Sequence, residues 1–490
     1  MKRNWITYPL IIGVFGCLIW LIIQKGTALS AAHQLASLSP VTATIGASDL
    51  AVITKAVTTH APAAEAKAPV LPGILKNLQT PLALLLLQII TIVTVARLAG
   101  RLVRLIGQPS VVGEIIAGIL LGPSLLGWIA PGVSAFLFPV SSLVSLQFLS
   151  QIGLAFFMFI VGMELDLSKI RQKAHDAVMI SHASIIFPFF LGVSLAYFIY
   201  VKYAPAHISF LAFSLFMGIA MSITAFPVLA RIVQERKLTG TPLGNLAITC
   251  AAADDITAWC ILASVVAIVK STGLANALLT LLLALGYVAL MWYAVRPFIA
   301  RVMNSQRAKQ NTHGYIALAF IVLLFSAWTA EVVGIHALFG SFLAGVIMPP
   351  MPDVRSKLTD KLEDVSVLLL LPIFFVFTGL RTQLGLLTQG HLWTTFGLIM
   401  LVAVSGKWGG STLTAKLVGQ SWPDALSIGA LMNTRGLMEL VALNIGYDLG
   451  ILSPEIFTMM VLMALCTTFM TGPLLNMVSR RQRNHRTAMA

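Results

Sequence analysis

Charge is scarce in this chain. Asp, Glu, Lys and Arg make up 10% of its 490 residues, against about a quarter in a typical soluble domain. Apolar residues reach 58%, and mean hydropathy is +0.90. No water-soluble fold hides that much apolar surface, so the solvent for most of the chain is lipid. Cysteine is nearly absent. Cys17, Cys250, Cys260 and Cys466 all lie in apolar stretches with no CxxC pair, which argues against a disulfide framework or a zinc site. They read as small packing residues. HExxH and GxSxG are missing, and no Ser/Lys pair has a suitable setting, so metalloprotease or hydrolase chemistry has no carrier. No cofactor is expected. The net charge of +14 would suit nucleic acid, but no basic domain with interleaved aromatics exists. The basic residues sit in short loops between apolar segments, as orientation signals do.

What is present is a succession of apolar runs. An apolar segment from Pro9 to Ile23 follows the basic start Met1-Lys2-Arg3, and residues 28–30 carry a small-x-small pattern before Ala31. Residues 1–30 therefore read as either a cleaved signal peptide or a retained anchor. Residues 31–75, rich in Ala, Thr, Ser and Pro, read as an extracytoplasmic linker. Residues 76–480 form the membrane domain, and 481–490 a short basic cytoplasmic tail. About thirteen segments of spanning length occur. They cover roughly 81–100, 110–130, 142–163, 177–201, 208–230, 242–269, 274–295, 314–333, 336–350, 366–380, 392–415, 424–446 and 456–478.

Basic loops alternate with loops poor in Lys and Arg. Arg101 and Arg104 follow the first core span, and Lys169, Arg171 and Lys173 follow the third. Arg231, Arg236 and Lys237 follow the fifth, and Arg301, Arg307 and Lys309 the seventh. Arg355, Lys357 and Lys361 follow the ninth, and Arg480, Arg481 and Arg483 the last. The pattern predicts an extracytoplasmic start to the core and a cytoplasmic C-terminus in the inner (plasma) membrane. An odd number of spans permits two inverted six-helix halves, spans one to six and eight to thirteen, joined by one linking span. The expected fold class is an all-α polytopic membrane protein with two broken crossing helices.

Seven ionisable residues fall within or near spans: Glu114, Asp254, Asp255, Glu331, Lys407, Arg435 and Glu439. Charges in a bilayer are costly, so each is a functional candidate set against a structural ion pair. Glu331 lies near a span end and reads as structural. Asp254 and Asp255 are adjacent acids about midway along span six, some 100° apart on a helix, so one can face a cavity while the other faces a partner. A carboxylate holds either a hard cation or a proton, and burial disfavours the bare charge. Cation and proton can thus compete for one oxygen site. Lys407 is the only lysine at such depth and the natural partner for one Asp; Gly406, Gly409 and Gly410 beside it permit close helix approach. Span five carries Ser222, Thr224 and Pro227, and Pro227 removes a backbone donor. Span twelve carries Asn433, Thr434, Arg435 and Glu439. Interrupted helices at matching places point to a midplane site, with Arg435 and Glu439 placed to neutralise half-helix ends. His182 and His336, near span ends, read as structural.

The stretches 108–123 (QPSVVGEIIAGILLGP), 159–166 (FIVGMELD), 222–231 (SITAFPVLAR), Asp254-Asp255 and 432–440 (MNTRGLMEL) resemble the monovalent cation:proton antiporter-2 family. Within it they are most similar to the branch of plant cation/H⁺ exchangers and fungal K⁺/H⁺ antiporters. The resemblance covers about residues 80–478. It implies a homodimer with a dimerisation panel and a mobile core that moves like an elevator. It implies that Asp255 carries cation and proton, that Asp254 pairs with Lys407, and that Thr224 is the unwound threonine. The transported cation, K⁺ or Na⁺, would then meet Asp255, Asp254 and Thr224. Many relatives carry a cytoplasmic regulatory domain after the last span. This chain ends about a dozen residues beyond it, so gating of that sort is not expected. A passive cation channel and a membrane-embedded enzyme are the competing readings.

Overall fold

The computed structural model describes residues 4–38, 77–78, 80–164, 174–270, 274–303, 312–349, 352–388 and 390–489. Their regular elements are all helices, with no strand among them. Most of the expected linker, and the basic loops around Arg171 and Arg307, lie outside the described residues.

Twelve described helices are long and apolar enough to cross a membrane. One is the N-terminal segment, and the others match eleven of the expected core spans in order. The remaining two expected spans take other forms. The ninth is a helix of only 10 residues, Ala337–Val346, ahead of a Pro-Pro pair at 349–350 that cannot continue it. The twelfth is two helices, Trp422–Met432 and Leu437–Asp448.

We number the helices α1 (Asn4–Leu38), α2 (Pro81–Leu105), α3 (Ser110–Leu121), α4 (Val140–Glu164), α5 (Ala174–Tyr203), α6 (Phe210–Ser222), α7 (Phe226–Glu235) and α8 (Pro242–Lys270). α9 runs Leu274–Leu290 and through a π-turn, Met291–Val295, into Arg296–Met303. α10 is Thr312–Val333 and α11 Ala337–Val346. α12 runs Pro352–Val365 through Ser366–Leu370 into Leu371–Arg381, and α13 runs Gly390–Val404 through Ser405–Gly409 into Gly410–Leu417. α14 is Trp422–Met432, α15 Leu437–Asp448 and α16 Pro454–Met489. Prolines open α2, α8 and α16, where the missing N–H has no helical partner anyway.

The helices pack as two groups. α2, α3, α4, α10, α11 and α12 pack on one another, and α5 to α8 pack with α13 to α16. α9 touches α8 on one side and α10 on the other. Small residues set the approach within the first group. A Cβ on Gly162 of α4 would strike the Phe342 carbonyl of α11, and one on Gly379 of α12 would sit 2.6 Å from the backbone of Gly118 on α3. Lipid offers no hydrophobic drive for helix association, so such close backbone contacts carry the packing. α1 runs past the expected boundary at residue 30 to Leu38 and lies against α5 and α6.

Candidate functional site

α6 stops at Ser222, and α7 starts at Phe226 with Pro227 in its first turn. Pro227 therefore does not kink a continuous helix. It opens the second half-helix, and the break is Ile223–Thr224–Ala225. The matching break, 433–436, parts α14 from α15. The two breaks cross. Ala225 N donates to Thr434 O at 3.1 Å, and Thr224 Oγ1 donates to Met432 O at 3.1 Å. Each break thus supplies partners for the other's stranded backbone, which lipid cannot do.

The side chains complete this accounting. Arg435 Nη1 donates to Ala220 O and Nη2 to Met221 O, both at 2.8 Å, meeting free carbonyls at the negative end of α6. Its Nη1 also reaches Glu439 Oε1 at 2.9 Å, an acid in the first turn of α15. Thr468 of α16 clamps the second break, with Oγ1 donating to Arg435 O at 2.6 Å and accepting from Arg435 N at 3.1 Å. Ser222 Oγ donates back to Gly218 O at 2.7 Å.

Lys407 sits in the π-turn of α13 and is fully buried. Nζ donates to Asp254 Oδ2 at 2.9 Å, to Ser184 O at 2.9 Å and to Ser222 O, the last carbonyl of α6. Ser184 Oγ donates to Asp254 Oδ1 at 2.9 Å. Asp254 is thus held on both oxygens. Asp255, one residue on and equally buried, has no hydrogen-bond partner on either oxygen. Asn433 is likewise buried with neither amide atom bonded.

The arrangement brings together Asp254, Lys407 and Ser222, and at the crossing Thr224, Thr434, Arg435 and Glu439. Thr224, expected to face the cation, spends its proton on Met432 O, which leaves its lone pairs free. Ser184 and Thr468 escaped the sequence reading. Both were visible as polar residues inside apolar spans, but such residues often bond only within their own helix. Three further ionisable residues bond to nearby backbone. Glu331 caps Ala337 N at 2.8 Å and faces Lys270 at 3.6 Å. His336 accepts from Leu338 N at the start of α11, and His182 Nδ1 lies 2.8 Å from Val178 O. The four cysteines are free.

Crossed broken helices with an acid–lysine pair buried at the crossing define a secondary-transporter architecture. The chain matches the family described as sodium/hydrogen exchanger, transmembrane, over residues 90–480. It belongs to that family. It is 44% identical over 395 residues to the Na⁺/H⁺ antiporter NhaS4 of Synechocystis, covering 80% of this chain and 96% of that protein. It is 38% identical to cation/H⁺ antiporter 17 of Arabidopsis thaliana and 33% identical to K⁺/H⁺ antiporter 1 of Saccharomyces cerevisiae. The matches cover 81% and 82% of this chain but only 48% and 47% of those proteins, so it spans about half the length of these plant and yeast relatives. The sodium proton antiporter MjNhaP1 of Methanocaldococcus jannaschii superposes with a TM-score of 0.55 at 14% identity, over 82% of this chain and 97% of that one. That likeness speaks to the fold alone.

Proposed function

We propose that this protein exchanges a monovalent cation, K⁺ or Na⁺, for protons by alternating access, with both ions competing for Asp255. One observation carries the reading. Asp255 is a fully buried carboxylate with no bonded partner, while its neighbour Asp254 is ion-paired with Lys407 and accepts a hydrogen bond from Ser184. A bare charge there is costly, so Asp255 is stable only with a proton or a cation on it. That is the alternation an exchanger uses. Thr224 and Asp254 supply further oxygens to the bound cation.

Entry of the cation between the two acids draws Asp254 away from Lys407. An ammonium left without its counter-charge in a dry interior sheds its proton. Asp255 releases another. Two protons then move for one cation, and the cycle carries charge. The helices are proposed to form two inverted six-helix halves, in a homodimer in the inner (plasma) membrane with a cytoplasmic C-terminus. The backbone bonds between the two breaks and the two packing groups support a core that moves against a panel.

The test is a pH-gradient dequenching assay in proteoliposomes. Cation addition to wild type collapses the gradient, and the same assay with Li⁺, Na⁺, K⁺ and Rb⁺ ranks the cations. Asp255→Asn is expected to insert and purify as wild type and to show no cation-dependent dequenching. Dequenching retained in that variant would remove Asp255 from the site.

A further inference from the structure

α1 is docked on the site-bearing group at three heights, each by a different kind of contact. In its first half, the Phe15 ring meets Phe187 edge-on at 4.7 Å and Phe190 at 5.2 Å, both on α5. Higher up, Gly26 lies so close to α6 that a Cβ there would overlap the Phe210 ring. Near its end, Ser30 Oγ accepts from Phe210 N at 2.8 Å. That N–H belongs to the first turn of α6 and has no helical acceptor of its own. His33 Nε2 adds a bond to Ala204 O at 3.1 Å. The partners climb α5 in step with α1, so the two helices run parallel.

The Phe15 contact leads to the site. Phe187 and Pro188 form the platform on which the Lys407 helix rests. A Cβ at Gly406 would stand 2.8 Å from Pro188 Cα, and one at Gly410 would stand 2.9 Å from Phe187 Cβ. Phe15 meets the Phe187 ring of this platform. Four residues before Pro188 on the same helix, Ser184 holds both Lys407 and Asp254.

We infer that α1 is a permanent helix of the transporting group, retained on the mature chain, and that Phe15 is a positioning residue that braces the Phe187–Pro188 platform behind Lys407. Cleavage at the small-residue pattern 28–30 would remove Phe15 and Gly26 and expose the Phe210 N–H that Ser30 satisfies. Because its main packing among the described residues is against α5 and α6, α1 travels with the site.

The inference rests on the exchange reading only for its transport readouts, so the first two measurements stand apart from it. Full-length protein purified from membranes is expected to show the intact mass of 52.6 kDa; a mass short of the first 30 residues overturns the inference. With Cys17, Cys250, Cys260 and Cys466 changed to Ser, Phe15→Cys and Phe190→Cys are expected to be bridged by a short reducible thiol cross-linker in native membranes. Failure to bridge refutes the docking. The bridged protein is then reconstituted. Exchange at the unbridged rate is expected, since the bridge lies within one moving body; exchange lost on bridging and recovered with reductant refutes shared motion. Phe15→Ala is expected to raise the cation concentration for half-maximal exchange by about three- to ten-fold. Trp20→Ala, on the lipid-exposed face, is expected to leave it unchanged, and equal effects of the two would refute the bracing role. An unbridged wild type inactive in the assay would count against the exchange reading, while mass and bridging still decide the place of α1.

Discussion

Asp254 and Asp255 are neighbours in the chain with opposite surroundings. The first has both oxygens bonded and the second has neither. The 100° step of the helix turns them apart, and Lys407 from a helix 150 residues away chooses between them. This assigns the proton-coupling test to the lysine. Lys407→Gln keeps a donor but cannot release a proton in the cycle. Exchange in that variant is expected to fall or to become electroneutral, read as current on a solid-supported membrane. Charge movement per cation unchanged from wild type in Lys407→Gln, or none in active wild type, would defeat the two-proton scheme. That one Asp would pair with Lys407 was legible from its depth alone. Which Asp was not legible from spacing, which fixes the angle between two side chains and not the direction either faces; only the resemblance pointed to Asp254.

At the scale of elements, each break is stabilised by the other and by cations brought to helix ends. Arg435 serves three acceptors, the carbonyls of Ala220 and Met221 and the Glu439 carboxylate. Glu439 is bonded to Arg435 alone through one oxygen, and its other oxygen is unpartnered. Removing one member of a buried pair costs about 3–5 kcal/mol, and here the arginine strands more groups than the acid. Arg435→Gln is therefore expected to lower the unfolding midpoint in detergent more than Glu439→Gln, with the loss of monodisperse protein on heating as the readout. The reverse order would show that the carbonyls of α6 are met by something else. Pro227 marked the region of the first break but not its position, because a proline is compatible with both a kink and a helix start. The π-turn that carries Lys407 had no sequence signal beyond its glycines.

For the molecule as a whole, the seam between the two packing groups is closed differently at its two ends. At the end holding Arg381 and Asp448, an ion pair at 2.8 Å joins α12 to α15, and Gln147 of α4 donates to the same Asp448 at 3.0 Å. At the other end, Arg231 reaches Ser110 at 3.3 Å and Gln108 reaches Phe469 O at 3.4 Å. Short charge-assisted bonds are the stronger ones, so the Arg381 end of the seam is the more tightly bonded. If the groups move past one another, fixing that seam must stop the cycle. In the cysteine-free background, bridging Gln147→Cys to Asp448→Cys is expected to abolish exchange and reductant to restore it. Unimpaired exchange in the bridged protein would show that the seam stays closed throughout transport. The alternation of basic loops predicts the orientation. A reporter after Gln482 is expected to score cytoplasmic and one near Ala61 extracytoplasmic; both on one side would refute the orientation.

The spans were fixed by the sequence on its own, since a helix that must satisfy its backbone in lipid announces itself as a long apolar run. The costly residues were visible for the same reason: Asp254, Asp255, Lys407, Arg435 and Glu439 stand out because lipid tolerates so few charges. Three expected spans broke this rule in form, Ala337–Val346 and the interrupted pairs α6–α7 and α14–α15, because neighbouring protein rather than lipid surrounds much of them and lets helices be short or interrupted. Only the tertiary structure decided which atoms pair where the two breaks cross, that Ser184 holds Asp254 and Lys407 while Thr468 clamps the second break, and that α1 lies against α5 and α6. Those outcomes depend on which helix meets which, and local periodicity carries no information about contacts between residues hundreds of positions apart.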